Sequence, residues 1–155
     1  MLAFFRLMAH LPLALLRAGG AVLGLAVFLS SSGYRSKLLA NLRQAGLDQR
    51  LRWRCAVQAG QTIGELPFVW FAPAARLLSR VRCDDLGVLE QACGEGHGVL
   101  LLSPHFGSFE VAARYLSHKG PMTVLFKPPK QKSVSRLLQA ARNQGAMRSA
   151  PTNLS

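Results

Sequence analysis

The chain has 155 residues, half of them hydrophobic and only 17% charged, which excludes a disordered chain and suits one domain with its own core. Nineteen Lys and Arg against seven Asp and Glu leave a formal charge of +12, so the surface wants an anionic partner. A mean hydropathy of +0.19 and an apolar N-terminus turn that expectation away from nucleic acid and towards a membrane surface.

Residues 1–29 are almost wholly apolar, broken by Arg6, His10 and Arg17. At about 100° per residue these three project within roughly 40° of one another, one narrow polar stripe on a single greasy helix. The stretch 11–29 is long enough to span a bilayer, though Arg17 and the Gly19-Gly20 pair make it a poor span. It either crosses with the stripe against protein or lies partly embedded as a monotopic anchor. Arg35, Lys37 and Arg43 beyond it favour a cytoplasmic domain afterwards. A cleaved signal peptide fits less well, because the basic start is weak and Phe28-Leu29-Ser30-Ser31-Ser32 offers no clean cleavage site. A buried core helix seldom needs so much unbroken apolar length. Residues 1–30 are therefore read as a membrane anchor and residues 34–155 as the domain that follows it.

Ser30-Ser31-Ser32-Gly33 reads as a polar hinge, and 34–45 as a basic amphipathic helix ended by Gly46. Asp48 caps a further helix running through Gln61 and beyond, with Pro67 bending or ending it. The aromatic residues Phe68, Trp70 and Phe71 belong to a core or to the headgroup level. Strand and helix then alternate. Strands are predicted at 79–83, 99–103 and 122–126, and helices at 86–93, 108–117 and 132–143. Residues 145–155 read as a polar tail without a strand. The fold class is α/β: an N-terminal membrane helix, further helices, and an incomplete, mostly parallel sheet with crossover helices. So thin a sheet suggests the N-terminal fragment of a larger protein. Cys55, Cys83 and Cys93 are odd in number and lack paired spacing, so they fit a reducing compartment rather than a disulfide framework. Cys83, Cys93 and His97 give no four-ligand pattern, and no metal or cofactor is expected.

The chemistry concentrates in Gly98-Val-Leu-Leu-Leu-Ser-Pro-His-Phe-Gly-Ser-Phe-Glu110. An apolar run stops at Ser103-Pro104, His105 follows at once, and Glu110 falls in the first turn of a helix that Ser108 caps. A carboxylate there can take one imidazole N–H and leave the other ring nitrogen to remove a proton from an alcohol. Ser108 lies in no Gly-x-Ser-x-Gly nucleophile turn, so His105 would activate a substrate hydroxyl directly. The plainer alternative is a structural histidine at a strand end with Glu110 merely capping.

Pro104-His105-Phe-Gly-Ser-Phe-Glu110 resembles the His-x4-Asp/Glu motif of lysophospholipid and glycerolipid acyltransferases. Its surroundings are similar to the bacterial lipid A late acyltransferases: the apolar anchor, Tyr34-Arg-Ser-Lys-Leu-Leu-Ala-Asn-Leu42, Gly96-His-Gly-Val-Leu-Leu-Leu-Ser-Pro-His-Phe-Gly107, and Val124-Leu-Phe-Lys-Pro-Pro129. In the last segment Lys127 stands where the family usually has Arg, and Arg142 falls where it carries a functional Arg. The resemblance implies a glycerolipid-acyltransferase-like fold. It implies O-acyl transfer from acyl carrier protein to an anionic, phosphorylated glycolipid acceptor, with His105 as base and Glu110 as its orienter. Lys127 and Arg142 would bind substrate. It places the chain at the bacterial inner membrane with its domain on the cytoplasmic face. The family continues further, into added strands and a later acidic motif. A glycerophospholipid acyltransferase sharing the same pair, or an inactive membrane-anchored lipid-binding fragment, are the alternatives. Nucleic acid is not expected as a partner, because the basic residues beyond Phe126 lack interleaved aromatics.

Overall fold

A computed structural model describes residues 1–152. The helices are α1 Leu2–Met8, α2 Leu13–Ser30, α3 Ser32–Gln44, α4 Arg52–Phe71, α5 Ala74–Leu78, α6 Leu86–Gly94, α7 Phe109–Leu116 and α8 Lys132–Arg142. A single 3-10 turn covers Gln49–Leu51, and the strands are β1 Met122–Phe126 and β2 Met147–Pro151. The chain divides into two compact units, Met1–Ala72 and Pro73–Ser155.

The first unit is a helical hairpin. On α2, Leu16, Gly20, Gly24 and Phe28 are buried at intervals of four, and on α4 Ala56 and Gly60 are buried at the same interval. This i, i+4 ridge is the one helices use to pack against each other. The two run antiparallel: Leu16 meets Gly64, Gly20 meets Gly60, Gly24 meets Ala56, and Phe28 stacks edge-on against Trp53. A Cβ on Gly60 would lie 2.7 Å from the Cα of Gly24 and closer still to the carbonyl oxygen of Gly20. Backbone therefore touches backbone, as small residues allow. At the open end of the hairpin α1 returns to α4, where Phe5 stacks on Trp70 and Arg6 lies over Phe71.

The N-terminal apolar stretch is thus two helices, not one. The break at 9–12 sits before Pro12, which takes an extended ψ of 136° as the N-cap of α2. Proline disfavours helical geometry in the residue before it, which is why the polar stripe of Arg6, His10 and Arg17 is not carried on one rod. Pro67 behaves otherwise. The helix neither ends nor stops there but continues to Phe71, with Pro67, Phe68, Val69 and Trp70 all buried. Packing of that last turn outweighs the lost hydrogen bond.

Ser31 alone separates α2 from α3, accepting a hydrogen bond from Tyr34 N at 3.2 Å. α3 ends as expected at Gly46: its φ of +66° is a left-handed value that suits glycine. The amides of Gly46 and Leu47 return to the carbonyls of Arg43 and Leu42, a paired closure that satisfies the helix end. Asp48 does cap, but what it caps is the 3-10 turn leading into α4.

In the second unit, β1, α8 and β2 form a βαβ unit with parallel pairing, Met122 opposite Met147 through Phe126 opposite Pro151. The fold is α/β with a partial parallel sheet. β2 corrects the reading of residues 145–155 as a strandless tail. Its Arg, Ser and Pro carry little strand propensity. The pairing with β1 decides it, helped by Asn143, whose Oδ1 accepts from Ser149 N at 2.9 Å. Two predicted strands are absent. Residues 79–83 form the turn leaving α5, with Arg80 N on Leu77 O and Val81 N on Leu78 O. Residues 99–103 run without ladder partners, leaving Leu100 85% and Leu102 90% exposed. An apolar run becomes a strand only when a neighbour supplies the other half of the ladder.

Candidate active site

The candidate site lies in the second unit, around the N-terminal end of α7. His105 is exposed on the loop before that helix, its ring 4.5 Å from the ring of Phe109. Gly107, with φ of +57°, turns the chain between them. Ser108 occupies the N-cap position but makes no side-chain cap hydrogen bond, contrary to expectation.

Glu110 is buried, and its carboxylate is held by Arg142 at the last residue of α8. Nη2 of Arg142 donates to Oε1, and Nε donates to Oε2 at 3.4 Å. The two-pronged approach matches the planar fork of guanidinium to the carboxylate. Both side chains are nearly buried, 13% exposed for Arg142 and 8% for Glu110. The Arg142 guanidinium carbon also lies 5.6 Å from the centre of the Phe126 ring, so the cation has an aromatic face on one side and a carboxylate on another. Lys127 follows Phe126 and is exposed at the carboxyl end of β1, the edge where parallel sheets place ligands.

Sequence reading paired His105 with Glu110 and set Arg142 apart. The structure brings Glu110 and Arg142 together across α7 and α8, and gives His105 the ring of Phe109 as its neighbour. It also adds a residue the sequence reading passed over. Arg114, one turn beyond Glu110, is buried, as is Ser117, so the buried stripe of α7 is Glu110, Arg114 and Ser117. These three are the buried polar side chains among the described residues. Burial lowers the pKa of the Arg114 guanidinium by desolvating its charge. The Glu-x3-Arg spacing, an i, i+4 ion-pair register, was the signal available in the sequence.

On the face of α7 away from this stripe lies a cavity of about 450 Å³, walled by Val81, Phe106, Phe109, Val111, Ala112 and Leu116. Ser103, Pro104 and Cys83 sit at it as well, so the His105 loop borders the cavity through the residues on either side of His105 in the chain. A predominantly apolar hollow with few polar groups next to a titratable residue is the usual form of a small-molecule site.

Cys83 and Cys93 are exposed and Cys55 is half-buried, all as free thiols. Among the described residues, no three metal-binding side chains gather at one place.

No curated protein and no solved structure matches the chain. The family model for bacterial lipid A biosynthesis acyltransferase matches residues 1–153, so the chain belongs to that acyltransferase family.

Proposed function

We propose that the protein moves a fatty acyl chain from acyl carrier protein to a hydroxyl of a lipid A precursor, a phosphorylated and acylated glucosamine disaccharide, at the cytoplasmic face of the inner membrane. Lipid A acyl transfer in general follows from the family. The observation that carries the finer reading is the buried Glu110, in the first turn of the helix that His105 leads into, held there by Arg142 from the end of α8.

His105 is the general base. It takes the proton of the acceptor hydroxyl as that oxygen attacks the thioester carbonyl of the donor. The C–O bond forms, the C–S bond breaks, and the imidazolium returns its proton to the departing thiolate. Glu110, anchored by Arg142, is the fixed negative charge towards which that imidazolium turns. Exposure of His105 suits a base that must meet two large substrates in turn. The apolar cavity beside it receives the acyl chain, and Lys127, exposed at the end of β1, meets an acceptor phosphate. The charge of +12 suits both an anionic glycolipid and an acidic carrier protein. α2 is long and apolar enough to cross a membrane, which supports membrane association.

Membranes carrying the protein are to be assayed with acyl carrier protein thioester and either a lipid A precursor or lysophosphatidate. Transfer to the lipid A precursor is expected, with His105→Ala lowering it about 100-fold or more. Undiminished transfer by His105→Ala would remove the general-base role, and preference for lysophosphatidate would assign a glycerophospholipid acyltransferase instead.

A further inference from the structure

The first unit has two faces that ask for different solvents at the same level of the hairpin. Away from α4, α2 exposes Leu15, Val22 and Leu29, which recur every seven residues along a single line. Away from α2, α4 presents Arg54 and Gln58, both exposed, with Thr62 partly so; at about 100° per residue the three fall within roughly 80°. The pairing of Gly24 with Ala56 and of Gly20 with Gly60 sets Gln58 level with Val22, which is 68% exposed.

If α2 crossed a bilayer along its normal, α4 would run beside it for the whole length, because the contacts extend from Leu16–Gly64 to Phe28–Trp53. Gln58 would then face lipid at the midplane, with Arg54 a turn away. Polar side chains at that depth, facing outwards, are what membrane helices avoid. Laid in the plane of one leaflet, the same hairpin has no conflict. The α2 line enters the acyl region while the α4 face looks to water and headgroups.

Charge agrees with that placement. At the Trp53 end of the hairpin stand Arg35, Arg50, Arg52 and Arg54, with Asp48 as the nearby acid. Arg35 donates to the carbonyls of Phe28 and Leu29 at the end of α2, and Arg52 lies 5.4 Å from the Trp53 ring. Cations and an indole together suit an anionic headgroup layer.

We infer that the α2–α4 hairpin is a monotopic insert lying in one leaflet of an anionic membrane and does not span it; this rests on the membrane association proposed above.

The test uses the full chain with Cys55, Cys83 and Cys93 changed to Ser, carrying one new cysteine at a time: His10→Cys and Gly33→Cys, which flank α2 in the chain, Val22→Cys on its outer face, and Gln58→Cys on α4. Leu15→Cys and Arg54→Cys are second probes of the same two faces. Sealed membrane vesicles of either orientation are treated with an impermeant maleimide. Labelling of His10→Cys, Gly33→Cys and Gln58→Cys from the same side is expected, with Val22→Cys protected until detergent is added. Labelling of the two ends from opposite sides, or protection of both Gln58→Cys and Arg54→Cys from either side, would overturn the in-plane arrangement. Recovery of the protein in the soluble fraction would instead overturn membrane association itself.

Discussion

Arg142, the last residue of α8, holds the carboxylate of Glu110, in the first turn of α7, across 32 positions of sequence. This ion pair ties the helix behind the His105 loop to the β1–α8–β2 unit. Its two members were both picked out by sequence, each for a different partner.

Arg142→Ala leaves Glu110 buried beside a lost countercharge. Breaking such a pair from one side costs about 3–5 kcal/mol. Urea unfolding of the second unit in detergent is expected to show a loss of that order. The double variant Glu110→Gln with Arg142→Met is expected to be more stable than Arg142→Ala alone, since the buried carboxylate charge is removed together with its Arg142 partner. Equal stability of single and double variants would contradict the pairing.

Gly60 has no room for a side chain, because the backbone of Gly20 and Gly24 occupies the space. Gly60→Ala gains about 1 kcal/mol of helix propensity, but it must push α2 and α4 apart, and overpacking of this kind costs about 1–3 kcal/mol. A lower thermal midpoint is expected. Gly19→Ala, one residue from the contact and facing open space, is the control and is expected to be neutral or stabilising. A destabilised Gly19→Ala with an unchanged Gly60→Ala would refute the packing.

Arg17 donates to Glu65 and, at 3.1 Å, to Gln61. Its side chain is 41% exposed, so solvent screens much of the attraction and Arg17→Met should cost only about 1 kcal/mol. The larger effect is expected on register: interhelical distances by spin labels on α2 and α4 should broaden in Arg17→Met while Glu65→Gln, which keeps a hydrogen-bond acceptor, stays close to wild type. Broadening in both variants alike would show that charge, not hydrogen bonding, holds the register.

Lys127→Ala should raise the KM for a phosphorylated acceptor several-fold and flatten its salt dependence, with kcat little changed, because a point charge at the rim steers and binds but does not enter the chemistry. Steady-state assays across ionic strength check this. A fall in kcat at unchanged KM would move Lys127 from binding to catalysis.

Local signals were read correctly where they act locally. Gly46 closes α3 because only a left-handed residue lets the next two amides turn back on the helix. α7, β1 and α8 follow their periodicity, with ends within a residue or two of expectation. Two prolines show the limit. Pro12 marks a true helix start, while Pro67 is carried inside a helix by the burial around it. The same residue type gives opposite outcomes, and only packing distinguishes them. Strands fared in the same way. The apolar run at 99–103 has no ladder partner, whereas Met147–Pro151, with Arg148, Ser149 and Pro151 among its five residues, becomes a strand because β1 lies alongside.

At the candidate site, residue types were legible and their company was not. His105, Glu110, Lys127 and Arg142 stand out as chemistry, while Arg114 joins them only through its burial on one stripe with Glu110.

The sequence by itself determined the composition-level facts: an apolar N-terminus, a strongly basic surface, an α/β pattern, and a His-x4-Glu motif resembling a lipid acyltransferase family. The tertiary structure decided which residues meet: Gly20 with Gly60, Arg17 with Glu65, Glu110 with Arg142. Periodicity and capping depend on neighbours a few positions apart, so one strand of text carries them. Contacts over 32 or 48 positions depend on how helices pack, and that is settled by the fit of whole surfaces.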